Sequence, residues 1–398
     1  MANTLKFGTD GNWATKQGST LAYNDENGNY KPLPFNFDRD TTATRVNKQG
    51  LIEVVSNNEP RIDYTNDSKG ALLLEPTRSN LVTYSENFNG TGWNVFGSSG
   101  GTCTRTLNYG ISPQGIQNST RVVFSDSNTA LYFNISISVA STATIYVKGI
   151  AGEVIGFGFG GSVADGSDFT FNGEWQRLVF SDSSGGSVTI NTWAASRNAR
   201  DFEIYGAQLE QGSYATSYIP TNGSTVQRSA ETCNGSGNSE VFNDSQGVLF
   251  ANISALANDS TSKMYSLSDG TNSNRFYISL NSNNIDVNLR LGGSTQFGFG
   301  YSVNDIKLYH KILFKYEQSD FSLFVDGFKV ATSSSGNIFP NGTLNSLSFD
   351  RGDALSDFYG KTKEIAYYDT ALTDEELEYL TSYRSLNEMV TELNLNAL

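Results

Sequence analysis

The sequence predicts an all-β protein: two tandem antiparallel β-sandwich (jelly-roll) domains after an extended N-terminal segment, with a short C-terminal helix. Three observations carry this prediction. Charged residues make up only 17% of the 398, and Asn, Ser, Thr and 39 Gly fill the place they usually hold on soluble domains. Aromatics reach 12%, which suits pleated, half-buried strands better than helix surfaces. Short alternating apolar runs recur between Gly/Ser/Asn/Asp turns, at the spacing of a sandwich.

Residues 1–81 read as strands and turns with little periodic core. Asn24-Asp25-Glu26-Asn27-Gly28-Asn29 is a turn cluster. Thr44-Arg45-Val46-Asn47 and Gly50 to Val55 flank Lys48-Gln49 as a hairpin would, and Gly70 to Glu75 is a short apolar strand stopped by Pro76. Such a segment is not expected to fold firmly alone; it needs a neighbour to pack on. Residues 82–221 hold runs such as Thr120–Phe124, Ala143–Lys148 and Phe202–Glu210 and form the first expected sandwich. Residues 222–239, with Asn222-Gly223-Ser224 and Asn234-Gly235-Ser236-Gly237, read as a linker. Residues 240–385 form the second sandwich. There Ile285, Val287, Leu289 and Leu291 alternate with Asp286, Asn288 and Arg290, so one face is buried and one wet. Asp326-Gly327 marks a tight hairpin. Thr373 with Glu376 is a capping box that opens a helix, and Leu386, Met389, Val390 and Leu393 continue a helical tail over 386–398.

Composition also excludes chemistry. One His and two Cys cannot build a His/Cys zinc site, and Ser–His or Cys–His catalysis would have to use His310. His310 has no acidic or thiol companion near it in sequence, so a packed or solvated histidine is expected. A net charge of −14 argues against nucleic acid as a partner. No apolar run is long enough for membrane insertion, and Met1-Ala2-Asn3-Thr4-Leu5-Lys6 lacks the core of a signal peptide. Cys103 and Cys233 are expected to stay unpaired.

Several segments together are similar to a signature of bacteriophage virion proteins. They are Asp38 to Ile52, Asn58-Glu59-Pro60-Arg61-Ile62-Asp63-Tyr64, and Gly70 to Leu81 with Leu74-Glu75-Pro76-Thr77-Arg78-Ser79-Asn80-Leu81. Ser85-Glu86-Asn87-Phe88 with Trp93, and Gly206 to Gly212 with Ser217 to Thr221, follow the same pattern. In that family the intervening region is a carbohydrate-binding-module-like jelly roll. The C-terminal region resembles the concanavalin A-like (laminin-G-type) lectin/glucanase superfamily in Ser266 to Thr271, Lys311 to Tyr316, Phe324-Val325-Asp326-Gly327, and Ile365 to Tyr368 with Leu372 to Leu377.

The resemblance implies a virion component of the tail, its fibres or the head, attached or trimerised through residues 1–81. It implies other virion proteins as partners, a homotrimer, and adhesion to host-surface glycan. The glucanases of this superfamily carry an alternating Glu-x-Asp-x-x-Glu strand, which this sequence lacks, so no catalysis is expected. The alternative is a glycan depolymerase built on the same sheet. A flat aromatic can stack on a sugar ring. Trp193, Phe297, Phe299 and Tyr301 are the candidate carbohydrate-binding residues, because they lie outside regular core patterns; Trp93, Trp175, Tyr205 and Tyr277 are more readily core. No cofactor is expected apart from Ca²⁺, which lectin-like sandwiches hold at loops. Asp269, Asp350 and Asp353 offer its hard oxygens, with Asx turns as the competing reading.

Overall fold

A computed structural model describes residues 4–25, 28–160, 166–393 and 395. The chain divides into two compact units, and their boundaries are not sequential. Unit 1 holds Met1–Asp40, Ser56–Pro76 and Ala230–Leu398; unit 2 holds Thr41–Val55 and Thr77–Ser229. The N-terminal residues are therefore shared between the units rather than standing as one segment. The stretch 222–239 also contains strands, Val226–Arg228 in unit 2 and Thr232–Asn234 in unit 1, where its Gly, Ser and Asn content suggested a linker. Burial explains the difference: Glu231 and Cys233, inside that polar stretch, are fully buried.

Unit 1 is a sandwich of a ten-stranded and a five-stranded antiparallel sheet, with a four-stranded sheet beside them. The large sheet is centred on Gln246–Ala255, paired on one side with His310–Glu317 and on the other with Gly360–Tyr368. The N-terminal strands Leu5–Phe7 and Ala71–Leu74 both add to Gly360–Tyr368, so the early segment completes this sheet. Period-two alternation sorts the central strand. Leu249, Ala251 and Ile253 face the main core with Phe276, Ile278, Val287 and Leu289 of the other sheet. Val248 and Phe250 face the opposite way and pack with Leu372 and Leu377. Leu377 belongs to the helix Asp374–Thr381, whose capping box is formed by Thr373 and Glu376 as the sequence indicates. The hairpin at Asp326-Gly327 pairs Val325 with Phe328, and both turn residues have positive φ (50° and 88°), which is why Asp-Gly stands there. Of the tail expected over 386–398, Leu386–Glu392 is helical, and residues 394 and 396–398 lie outside the described residues.

Four of the buried charged side chains of unit 1 form one cluster. Glu231 accepts from Arg39 Nη1 at 2.6 Å and from Arg61 Nε at 2.8 Å, and Arg61 Nη2 also reaches Glu75 at 2.8 Å. Arg39, Arg61 and Glu231 are 0% exposed and Glu75 is 2% exposed. Two positive and two negative charges cancel, and the Glu75 backbone N–H also donates to Glu231. Burial of unpaired charge is prohibitive, so these residues fix one another's positions.

Unit 2 is a second sandwich of two five-stranded antiparallel sheets, with short two-stranded ribbons beside them. Its core sits between the sheets and includes Val122, Leu131, Ile145, Phe157, Ile190 and Ile204. The hairpin expected around Lys48-Gln49 forms, with Ala43–Val46 against Ile52–Val55. Buried Asn80 uses its whole amide. Nδ2 donates to the carbonyls of Ala207 and Ile219, and Oδ1 accepts from Val82 and Leu209 N–H.

Candidate polar site on the five-stranded sheet of unit 1

The small sheet of unit 1 orders its strands as Ser294–Ser302, Asn284–Leu291, Arg275–Asn281, Lys263–Ser268 and Ser346–Ser348. One face is core and the other carries polar side chains in rows. Tyr277 stands opposite Asn288 and Ser266, and Asn288 opposite Gly298. Ser279 stands opposite Asp286, and Asp286 opposite Gly300. Arg275 stands opposite Arg290 and Ser268. The alternation read from Ile285 to Leu291 thus builds this face directly.

The two glycines are needed by close approach. A Cβ at Gly298 would lie 2.7 Å from Asn288 Nδ2, and one at Gly300 2.8 Å from Asp286 Oδ1. Asn288 and Asp286 can therefore lean over the edge strand. Burial raises the Asp286 carboxyl above the usual aspartate range, against a donated hydrogen bond from Asn284 Nδ2 at 2.5 Å.

The two arginines differ from those of the buried cluster. Arg275 is only 4% exposed, its guanidinium lies 4.8 Å from the centre of the Tyr277 ring, and Nη1 donates to the Arg351 carbonyl at 2.6 Å. Arg290 donates to the Gly293 carbonyl. Neither has a carboxylate within ion-pair distance among the described residues. Burial, reinforced by the charges of Arg290 and Arg351, lowers the Arg275 pKa against the opposing pull of Tyr277 and Asp353. Four buried polar atoms of this face have no hydrogen-bond partner among the described residues: Ser266 Oγ, Arg275 Nε, Asn288 Oδ1 and Arg290 Nε.

The candidate aromatics do not gather. Trp193 lies in unit 2, half-buried, edge-to-face with Phe96 at 5.8 Å. Phe297, Phe299 and Tyr301 alternate along one strand opposite Leu289, Val287 and Ile285, so they share the core face, not the polar one. Phe297 is 5% exposed and stacked between Phe314 and Phe321 at 5.3 and 5.0 Å, which removes it as a ligand contact. Phe299 packs against the same core, and Tyr301 emerges at its rim. The glycines between them, read as irregularity, instead clear space on the opposite face.

The aspartates also hold other work. Asp269 accepts from Thr271 N, Thr271 Oγ1 and Asn274 Nδ2, an Asx turn. Asp350 accepts from Gly352 N, and Asp353 is engaged by both Nε and Nη2 of Arg351. Asp350 and Asp353 do line a cleft of about 720 Å³ beside Ser346 and Ser348. Among the described residues no group of three or more His, Cys, Asp or Glu side chains is placed to hold a metal ion. His310 is not solitary: the Asp326 hairpin brings a carboxylate oxygen 2.6 Å from Nδ1, and Nε2 lies 3.1 Å from the Asp305 carbonyl. Sequence proximity hid a partner sixteen residues away. Cys103 and Cys233 are both free thiols, as expected.

No curated protein matches the sequence. Among solved structures, the chain is similar to the CBM40 domain of a Ruminococcus gnavus intramolecular trans-sialidase bound to α2,3-sialyllactose. Identity is 18%, over 37% of this chain and 93% of that one, with a TM-score of 0.32. A leech intramolecular trans-sialidase is 19% identical, over 37% of this chain and 26% of that one, TM-score 0.32. The binding domain of botulinum neurotoxin DC, solved with rat synaptotagmin II, is 12% identical over 38% and 40%, TM-score 0.29. Residues 249–378, about a third of the chain, match the family model Laminin_G_3, described as the concanavalin A-like lectin/glucanases superfamily. That segment, which holds the whole polar face, is similar to the concanavalin A-like lectin/glucanases superfamily.

Proposed function

We propose that this chain is a non-catalytic glycan-binding component of a bacteriophage virion. The observation that carries the glycan half is the polar face of the small sheet. Tyr277 offers a half-buried ring, the half-buried Asn288 and Asp286 flank it with hydrogen-bonding groups, and Gly298 and Gly300 leave its edge low. A flat surface of this kind suits a sugar, which presents an apolar ring face and a rim of hydroxyls. The lectin/glucanase match over 249–378 supports the same reading. The strands of this sheet contain one carboxylate, Asp286, whereas glycoside hydrolysis uses two facing carboxyls.

The virion half rests on the signature around Arg39, Arg61, Glu75 and Asn80, and the homotrimer on the same resemblance. A glycan array with the full chain tests the first half: signal on at least one glycan, lost in Tyr277→Ala, is expected, and a blank array sinks it. Turnover of a host polysaccharide, abolished by a carboxylate substitution, would replace binding with depolymerisation. Mass spectrometry of purified particles tests the second half, and absence of the chain from them overturns it. Native mass spectrometry of the purified chain should show a trimer; a monomer defeats that part.

A further inference from the structure

We propose that the polar face of the small sheet binds a saccharide bearing a carboxylate, held by Arg275 and Arg290. This rests on the glycan-binding reading and names its ligand class. Three observations converge. Arg275 and Arg290 stand directly opposite each other on neighbouring strands, so two positive charges share one side of one sheet. Like charges placed so are mutually unfavourable unless an anion joins them. Arg275 is almost wholly buried, its side chain donates to one backbone carbonyl, and no carboxylate lies within ion-pair distance of it among the described residues, Asp353 acting on it only from farther off. The unsatisfied atoms on this face, two of them arginine Nε, mark the same spot.

A planar carboxylate fits guanidinium forks in a way that a neutral hydroxyl does not. The surroundings choose a sugar acid over a bare or multiple anion. Tyr277 lies against Arg275, and next to the arginine row come Asn288, which reads hydroxyls, and then Asp286, which repels a second anion. The chain's net charge of −14 opposes a polyphosphate or nucleic acid as well. One negative group beside several hydroxyls is the chemistry of a uronic or nonulosonic acid unit.

The test uses the full chain on an array of sialylated, uronic-acid and neutral glycans, followed by titration calorimetry with one acidic hit and its carboxyl methyl ester. Binding of the acid with at least a tenfold loss for the ester supports the proposal. So does at least a tenfold loss in Arg290→Gln with unchanged thermal unfolding. Arg275→Lys, which keeps the charge but loses the fork, is expected to weaken binding severalfold. Equal binding of acid and ester, or full affinity in both variants, overturns the carboxylate but leaves glycan binding standing. A blank array for every glycan overturns both. Displacement of the acidic glycan by inorganic phosphate at lower concentration than by its own free sugar acid would make the site a phosphate site and overturn the saccharide.

Discussion

Two arginine pairs in unit 1 sit in opposite circumstances. Arg39 and Arg61 are fully buried and share Glu231 and Glu75, so every charge is answered within the chain. Arg275 is buried and Arg290 half-buried, yet among the described residues their side chains hydrogen-bond only to backbone carbonyls. Burial alone therefore does not separate architecture from function; compensation does. A protein keeps a buried guanidinium without a counterion only where something else supplies one or where the charge does work.

The comparison can be broken or sharpened in four ways. Glu231→Gln removes the counterion of two buried arginines at once. It should cost about 5 kcal/mol in chemical denaturation, the top of the range for broken buried pairs; a cost under about 1 kcal/mol would show the cluster is not the keystone of unit 1. Phe297→Ala opens a cavity behind the polar face and should cost about 4 kcal/mol. If it instead abolished glycan binding at unchanged stability, Phe297 would be a ligand contact after all. Arg290→Gln removes a charge that has no carboxylate partner among the described residues, so its unfolding free energy should move by less than about 1 kcal/mol, and in either direction. A loss as large as that of Glu231→Gln would reveal a hidden counterion.

The smallest effect concerns His310. Burial pulls its pKa down, but the Asp326 hydrogen bond and charge, with the Asp305 carbonyl, outweigh that and raise it above the ordinary histidine value. A raised folded pKa means the stabilisation is complete below the unfolded histidine pKa and is lost as pH rises through the folded one. Unfolding followed at pH 5.5 and at pH 9 should thus show a decline that disappears in His310→Gln. An identical decline in the variant would assign it elsewhere.

Much of the fold was legible. Period-two alternation placed Ile285 to Leu291, turn chemistry placed Asp326-Gly327, and the capping box placed the helix at Asp374. What failed was anything requiring distant partners. The stretch 222–239 has the composition of a linker, but Glu231 is held by residues 170 and 192 positions away. The aromatics at 297–301 looked irregular because glycines interrupt them. Those glycines serve the polar face, and the aromatics follow the ordinary alternation of a core strand. The arginine pair was half visible: Arg290 was read on the wet face, but nothing local puts Arg275 opposite it. Register across a hairpin is needed for that.

The distribution of unit 1 over three stretches of sequence has a consequence for biosynthesis. The chain crosses between units four times, and unit 2 is made before the last stretch of unit 1 begins. During vectorial synthesis Arg39 and Arg61 emerge early and must wait for Glu231, with only Glu75 at hand. Until Glu231 emerges, Arg39 and Arg61 lack the carboxylate that joins them, so the buried cluster of unit 1 cannot close before unit 2 has been made. Truncation at any single point between the two units would strand part of unit 1, so neither sandwich can be separated from the other by one cut.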